Sequence, residues 1–359
     1  MRHPLVAAFL LALAVVLLSG CGQKQDDTNP GPPVSAPVHE PTTGSQPTGS
    51  NPSQAPPAPQ VPKGPYQPNE AGRVMVLMYH NIGYPEAEWT RTPENFRQDL
   101  ELLYREGYRL VSLLDYVSNN INLPEGYAPV ILTFDDATQG QFNLIEEDGK
   151  PVIDPNSAVG MIKAFAEEHP DFGTAATFYS YYPNPFRQPQ YKAEKYRMLV
   201  EMGMDIGNHT VGHQKLADLS DDKVQEALAR HVEETQKILP GYQVDSLALP
   251  YGSRPKNQEL AVTGEYNGVK YRNRAVLLVG SNPAPSPVVT KFDPAAIPRV
   301  RASDPYIGQW LDHFRQNPED RYVSDGDPDT ITIPDSKSGD LDMERVKGKN
   351  VILYSGEPK

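Results

Sequence analysis

The stretch Pro129-Val130-Ile131-Leu132-Thr133-Phe134-Asp135-Asp136 decides how the rest of the chain is read. Its apolar run does not alternate with polar residues, so it predicts a strand covered on both faces. It ends in two neighbouring carboxylates. Like charges this close oppose each other's ionisation unless something offsets them.

The same arrangement recurs along the chain. Residues 74–79 form a continuous apolar run that ends in His80. Residues 175–179 form another, residues 204–207 lead into Asn208 and His209, and residues 246–249 lead into Pro250-Tyr251-Gly252. Residues 275–279 and 351–354 are further candidate strands. Helical patterns lie between them. Thr92 caps a helix with Pro93 in its first turn and Gly107 as its stop, and Ser112 opens a shorter one. Further helices are predicted over residues 158–168, 192–202 and 221–239, the last capped by Ser220. Asp148-Gly149, between two short apolar runs, predicts a hairpin inserted beside the paired aspartates. Alternating strands and helices indicate an α/β fold with a mainly parallel sheet. The polar residues that follow the strands then converge on one end of the sheet, where such folds build their sites.

Two of those polar residues suggest a metal. His209 and His213 are four apart and face one ion if the segment turns helically. Thr210 stands where a zinc protease carries its glutamate base, which excludes that reading. A carboxylate from Asp135 or Asp136 completes a set with an open position for water. The cation then offsets the repulsion between the aspartates and leaves the other one free to accept a proton.

Thr133-Phe134-Asp135-Asp136, His209-Thr210-Val211-Gly212-His213 and Pro250-Tyr251-Gly252, in this order, resemble the motifs of the polysaccharide deacetylase family, the NodB homology domain. The likeness runs over residues 73–302. It implies a distorted (β/α) barrel and metal-dependent removal of acetyl groups from N-acetylated sugars. It implies Asp135 as the general base. It implies Asp136, His209 and His213 as ligands of zinc, or of cobalt or nickel, and the Tyr251 main-chain N–H at the oxyanion. Residues 76–82, Val-Leu-Met-Tyr-His-Asn-Ile, resemble the first-strand motif of the branch with the poly-N-acetylglucosamine deacetylases. In that branch the early histidine is the acid, which implies that role for His80.

The chain also departs from the family pattern. Ala248 replaces the arginine that orients the base, with Arg254, Arg299 and Arg301 as candidate substitutes. Ala137 replaces the glycine after the aspartates, and the late histidine and late tryptophan motifs are missing. Tyr179, Tyr181, Tyr182 and Phe186 follow a strand and suit stacking on sugar rings. Tyr179, Tyr181 and Pro250 are the candidate substrate contacts. Residues 324–329, Ser-Asp-Gly-Asp-Pro-Asp, read as an acidic turn, because no distal glutamate completes a calcium loop.

The chain of 359 residues has a net charge of -13 and one cysteine. The acidic balance argues against a nucleic-acid partner, and the lone cysteine excludes an internal disulfide. That cysteine ends Leu18-Ser19-Gly20-Cys21, which follows a short apolar run and resembles the lipobox of bacterial lipoproteins. The resemblance implies a signal peptide over residues 1–20, a lipid anchor on Cys21 and a place outside the cytoplasm on the cell membrane. Gly22 gives no signal for inner-membrane retention. Residues 21–70 form a Pro/Ser/Thr/Gln-rich tether, in which 13 of the 37 prolines fall between Gly22 and Glu70. Residues 71–303 then form the deacetylase domain, and 304–359 an extension that closes the barrel or is appended to it. The intact Asp135, Asp136, His209 and His213 favour an active deacetylase of cell-envelope or extracellular glycan. The replaced arginine and missing late histidine favour a catalytically weak glycan-binding envelope lipoprotein. A hydrolase of another amide or ester is a third reading of the same site.

Overall fold

The structure, a computed structural model, describes residues 66–356. The signal peptide, Cys21 and most of the tether lie outside the described residues. Among the described residues no helix is long and apolar enough to cross a membrane.

Eight strands form the main sheet: β1 (Met75–Tyr79), β2 (Tyr108–Leu110), β3 (Ala128–Phe134), β4 (Ala176–Ser180), β5 (Asp205–Asn208), β6 (Ser246–Ala248), β7 (Ala275–Leu277) and β8 (Val300–Arg301). Their order is β7-β6-β5-β4-β3-β1-β8, and β2 pairs with the first residues of β3. All the pairings are parallel. The helices are α1 (Pro93–Arg105), α2 (Leu113–Val117), α3 (Ala158–Glu168), α4 (Lys192–Glu201), α5 (Asp221–Ile238) and α6 (Tyr306–Gln316). Thr92, Ser112 and Ser157 cap α1, α2 and α3 by accepting from a backbone N–H in the first turn.

The unbroken apolar runs have a direct cause. In β1, Met75, Leu77 and Tyr79 join the layer packed against helices. Val74 and Val76 join an inner cluster with Ile131, Tyr179, Ala248 and Leu277. Both faces of β1 are covered, so it reads as an unbroken apolar run. The sheet curls until one segment, residues 297–301, touches both edges. Ile297 bridges Leu277 of β7, and Val300 and Arg301 pair with β1. The result is the expected distorted (β/α) barrel. The close inner packing shows at Gly207 in β5, where an added Cβ would lie 2.2 Å from the Tyr179 ring.

Two hairpins stand outside the sheet. Residues 144–153 pair around Asp148 and Gly149, both at positive φ, as that dipeptide predicts. A second hairpin, residues 263–272, turns at Asn267 and Gly268, also both at positive φ. The strand over residues 350–354 does not join the main sheet. It pairs in parallel with residues 330–334 over a separate cluster that includes Ile331, Ile333 and Val346.

Candidate active site

The site forms at the C-terminal ends of β1, β3, β5 and β6. β3 ends at Phe134, and the Asp135 N–H still donates to Tyr79 O at 2.9 Å. The backbone then turns sharply, with φ of 77° at Asp136 and 43° at Ala137. A positive φ at Ala137 explains why glycine suits that position. The turn aims the two carboxylates at different partners, which is how neighbouring aspartates coexist.

Asp135 meets Arg299. The guanidinium donates from Nη1 to Oδ1 and from Nη2 to Oδ2, both at 2.7 Å. Arg299 also donates to Thr133 Oγ1 at 3.1 Å and, from Nε, to Leu278 O at 2.9 Å. Of the three arginines the sequence left open, the structure brings Arg299 to Asp135. Arg254 donates to Gln258, and Arg301 to Glu88. Burial pushes the Asp135 carboxyl up, but Arg299 outweighs it, helped by His209 and His80, and holds it below its ordinary value. His80 Nε2 lies 3.9 Å from Asp135 Oδ2, and its ring packs on Trp89 at 4.6 Å between centroids. Burial lowers the His80 pKa, against the pull of Asp135 and Asp136.

Asp136 meets the histidines. Its Oδ1 lies 3.5 Å from His209 Nε2 and 3.2 Å from His213 Nε2. One ligand atom from each residue falls within 4.8 Å of the others. His209 Nδ1 is 2.8 Å from Ala248 O, and a carbonyl only accepts, so Nδ1 carries the proton. The unprotonated Nε2 therefore points at a carboxylate oxygen that has no hydrogen-bond partner. Two acceptors facing each other in a half-buried pocket fit a cation between them. The histidines do not share a helix turn. Thr210 and His213 both have positive φ, at 60° and 54°, and the loop folds back to bring the rings 4.9 Å apart.

Tyr251 also lies at positive φ, 58°, in the turn after β6. Its hydroxyl is 3.1 Å from His213 Nδ1, and its ring packs on that imidazole. The turn's own hydrogen bonds run from the Gly252 N–H to Leu249 O and from the Ser253 N–H to Pro250 O, leaving the Tyr251 N–H outside them.

The candidate sugar contacts divide. Tyr179 is fully buried and donates to Ser246 Oγ at 3.0 Å, so it is an interior residue and not a sugar platform. Tyr182 and Phe186 are buried too, as is Pro250 inside its turn. Tyr181 alone stays at the rim, 5.2 Å from the His213 ring, with its hydroxyl accepting from Arg187. The sequence reading missed Trp89. It sits in a polar loop, and nothing local marks it as the neighbour of His80.

Comparison with known proteins agrees with this architecture. Residues 124–269 match the family model described as polysaccharide deacetylase. That match spans less than half of the chain and makes this segment similar to the family, and the curled parallel sheet is of the NodB type. Among solved structures, BA0330 of Bacillus anthracis aligns over 64% of each chain at 20% identity, TM-score 0.47. The Streptococcus pyogenes deacetylase PplD, solved with acetate, aligns over 67% of this chain and 98% of its own at 20% identity, TM-score 0.47. IcaB of Ammonifex degensii aligns over 68% and 99% at 18% identity, TM-score 0.47. No curated protein matches the sequence.

Proposed function

We propose that this chain is a metal-dependent hydrolase that removes N-acetyl groups from N-acetylglucosamine-containing polysaccharide of the cell envelope or its surroundings. The observation that carries this reading is the junction of two units at one strand end. Asp136, His209 and His213 offer three ligand atoms to one ion, and Asp135 stands beside them.

Asp136 and the two Nε2 atoms would hold a divalent ion, zinc or alternatively cobalt or nickel. Such an ion supplies Lewis acidity toward the amide carbonyl and a more acidic water. Asp135 accepts the proton of the attacking water, and Arg299 fixes its orientation through both oxygens. The Tyr251 N–H donates to the oxygen that gains charge as the carbonyl carbon becomes tetrahedral. His80, lying 3.9 Å from Asp135, takes up the proton that Asp135 accepted from the water and, as the C–N bond breaks, gives it to the departing amine. The products are acetate and a free amino sugar.

Arg299 also bears on the reading of the chain as an inert glycan binder. The replaced arginine at Ala248 was one of the two grounds for it, and Arg299 supplies the missing contact from elsewhere. For the N-terminus, we propose that acylation of Cys21 holds the domain on the membrane, outside the cytoplasm, at the end of the proline-rich tether.

The test is acetate release from N-acetylglucosamine oligomers by the full chain, metal-loaded and metal-stripped. Metal-dependent release that disappears in Asp135→Asn is expected. A large fall in His80→Ala, with metal still bound, is expected for the acid. Bound metal without acetate from any oligomer or from peptidoglycan would leave the glycan-binding reading in its place.

A further inference from the structure

A groove of about 310 Å³ opens beside the site, lined by Ser281, Asn282, Tyr306, Gln309, Trp310 and His313. It lies on the same end of the barrel. Ser281 and Asn282 follow β7, and Tyr306 opens α6 just after β8. Tyr306 and Trp310 are four apart and share one face of α6. The Trp310 N–H is already taken, donating to Ser281 O at 2.7 Å, which fixes the indole across the groove. Among the described residues, the Tyr306 hydroxyl and the side-chain amides of Asn282 and Gln309 make no hydrogen bond.

The groove is continuous with the site. Arg301 lies with its guanidinium 4.2 Å from the Trp89 ring and 5.3 Å from the Tyr306 ring, and Trp89 in turn packs on His80. An aromatic path therefore leads from His80 over Trp89 and Arg301 to Tyr306 and Trp310. The chain has two tryptophans, and both lie on it.

The chemistry selects the occupant. Rings flanked by uncommitted amides and a hydroxyl fit a ligand with apolar faces and many hydroxyls. No unpaired charge lines the groove, since the His313 Nε2 is 2.8 Å from Asp320. We propose that this groove is a distal subsite for the same glycan chain, holding a neutral sugar unit remote from the one being deacetylated. The proposal rests on the hydrolase reading for the identity of the chain and adds a preference for long substrates.

The experiment compares the hexamer and the dimer of N-acetylglucosamine with the full, metal-loaded chain. Acetate release and tryptophan emission are both measured. The native chain is expected to favour the hexamer in kcat/KM. Trp310→Ala should lower the hexamer-to-dimer ratio roughly five- to tenfold, the size of one lost aromatic contact. Gln309→Ala, at an exposed position, should lower the ratio less and covers the case where Trp310→Ala fails to fold. Arg230→Ala on α5 should leave the ratio unchanged. In Trp89→Phe, where Trp310 is the remaining indole, the hexamer should shift the emission and the dimer should not.

An unchanged ratio, or an equal loss on both substrates, overturns the subsite. So does an emission change driven by a cell-wall peptide and not by sugar. If no acetate is released but the hexamer still shifts Trp310, the hydrolase reading fails and the subsite stands. If acetate is released while emission and ratio stay flat, the hydrolase stands and the subsite fails.

Discussion

Arg299 grips Asp135 through two bonds of 2.7 Å, and both side chains are withdrawn from solvent, at 0% and 2% exposure. The pair joins the residue before Asp136 to the segment that touches both edges of the sheet.

Breaking that pair leaves a carboxylate buried without its partner. Arg299→Ala is expected to cost about 3–5 kcal/mol in urea unfolding. Arg299→Lys should also lose most activity, because an ammonium cannot form the two-point fork. Activity retained at native level in Arg299→Lys would show that two-point orientation of Asp135 is not needed.

The Tyr251 hydroxyl should act through His213. Tyr251→Phe keeps the ring and the backbone N–H but removes the partner of His213 Nδ1. Metal affinity, read by chelator competition, is expected to fall about tenfold, as for lost supporting contacts to a ligand. An unchanged affinity would confine the role of Tyr251 to its main chain.

Tyr179 and Tyr181 should behave oppositely. Tyr179→Phe loses one buried hydrogen bond to Ser246, worth about 1 kcal/mol in stability, and should leave KM for oligomers unchanged. Tyr181→Ala, at the rim, should raise KM. A KM effect from Tyr179→Phe would return that ring to the substrate path.

Stability should depend on pH through Glu70. Burial, with Asp325 nearby, pushes this carboxyl from 4.5 up to about 8. It accepts from the Tyr322 hydroxyl at 3.0 Å and the Thr332 N–H at 3.1 Å. The folded state thus keeps a proton that the unfolded chain loses near pH 4.5. The contribution is full below that pH and is lost as pH rises to about 8. The loss amounts to roughly 3 to 5 kcal/mol. Glu70→Gln should flatten the decline in melting temperature between pH 5 and 8. An equally steep decline in the variant would rule Glu70 out as its cause.

Local signals carried most of the architecture. Thr92 with Pro93, Ser112, Asp148-Gly149 and the continuous runs of β1 and β3 each act within a few residues of themselves, so each is readable in isolation. Asn267-Gly268 is an equally local hairpin signal, but Gly264, Glu265, Lys270 and Arg272 leave its two strands without a continuous apolar run. Asp136, His209 and His213 were legible as a set because their residue types are rare at strand ends. The choice of Arg299 was not legible, because it depends on which late segment returns to β1. The burial of Tyr179 was hidden for a related reason. Whether a ring at a strand end faces solvent or the barrel axis is decided by Gly207, on a neighbouring strand.

The return of residues 297–301 has a consequence for the order in which the molecule becomes functional. The stretch that links the first strand to the seventh also carries the arginine that grips Asp135. A chain whose last strand has not docked holds Asp135 without its orienting partner, however complete the cluster of Asp136, His209 and His213 is. On the proposed reading, hydrolytic competence therefore requires this segment to be in place.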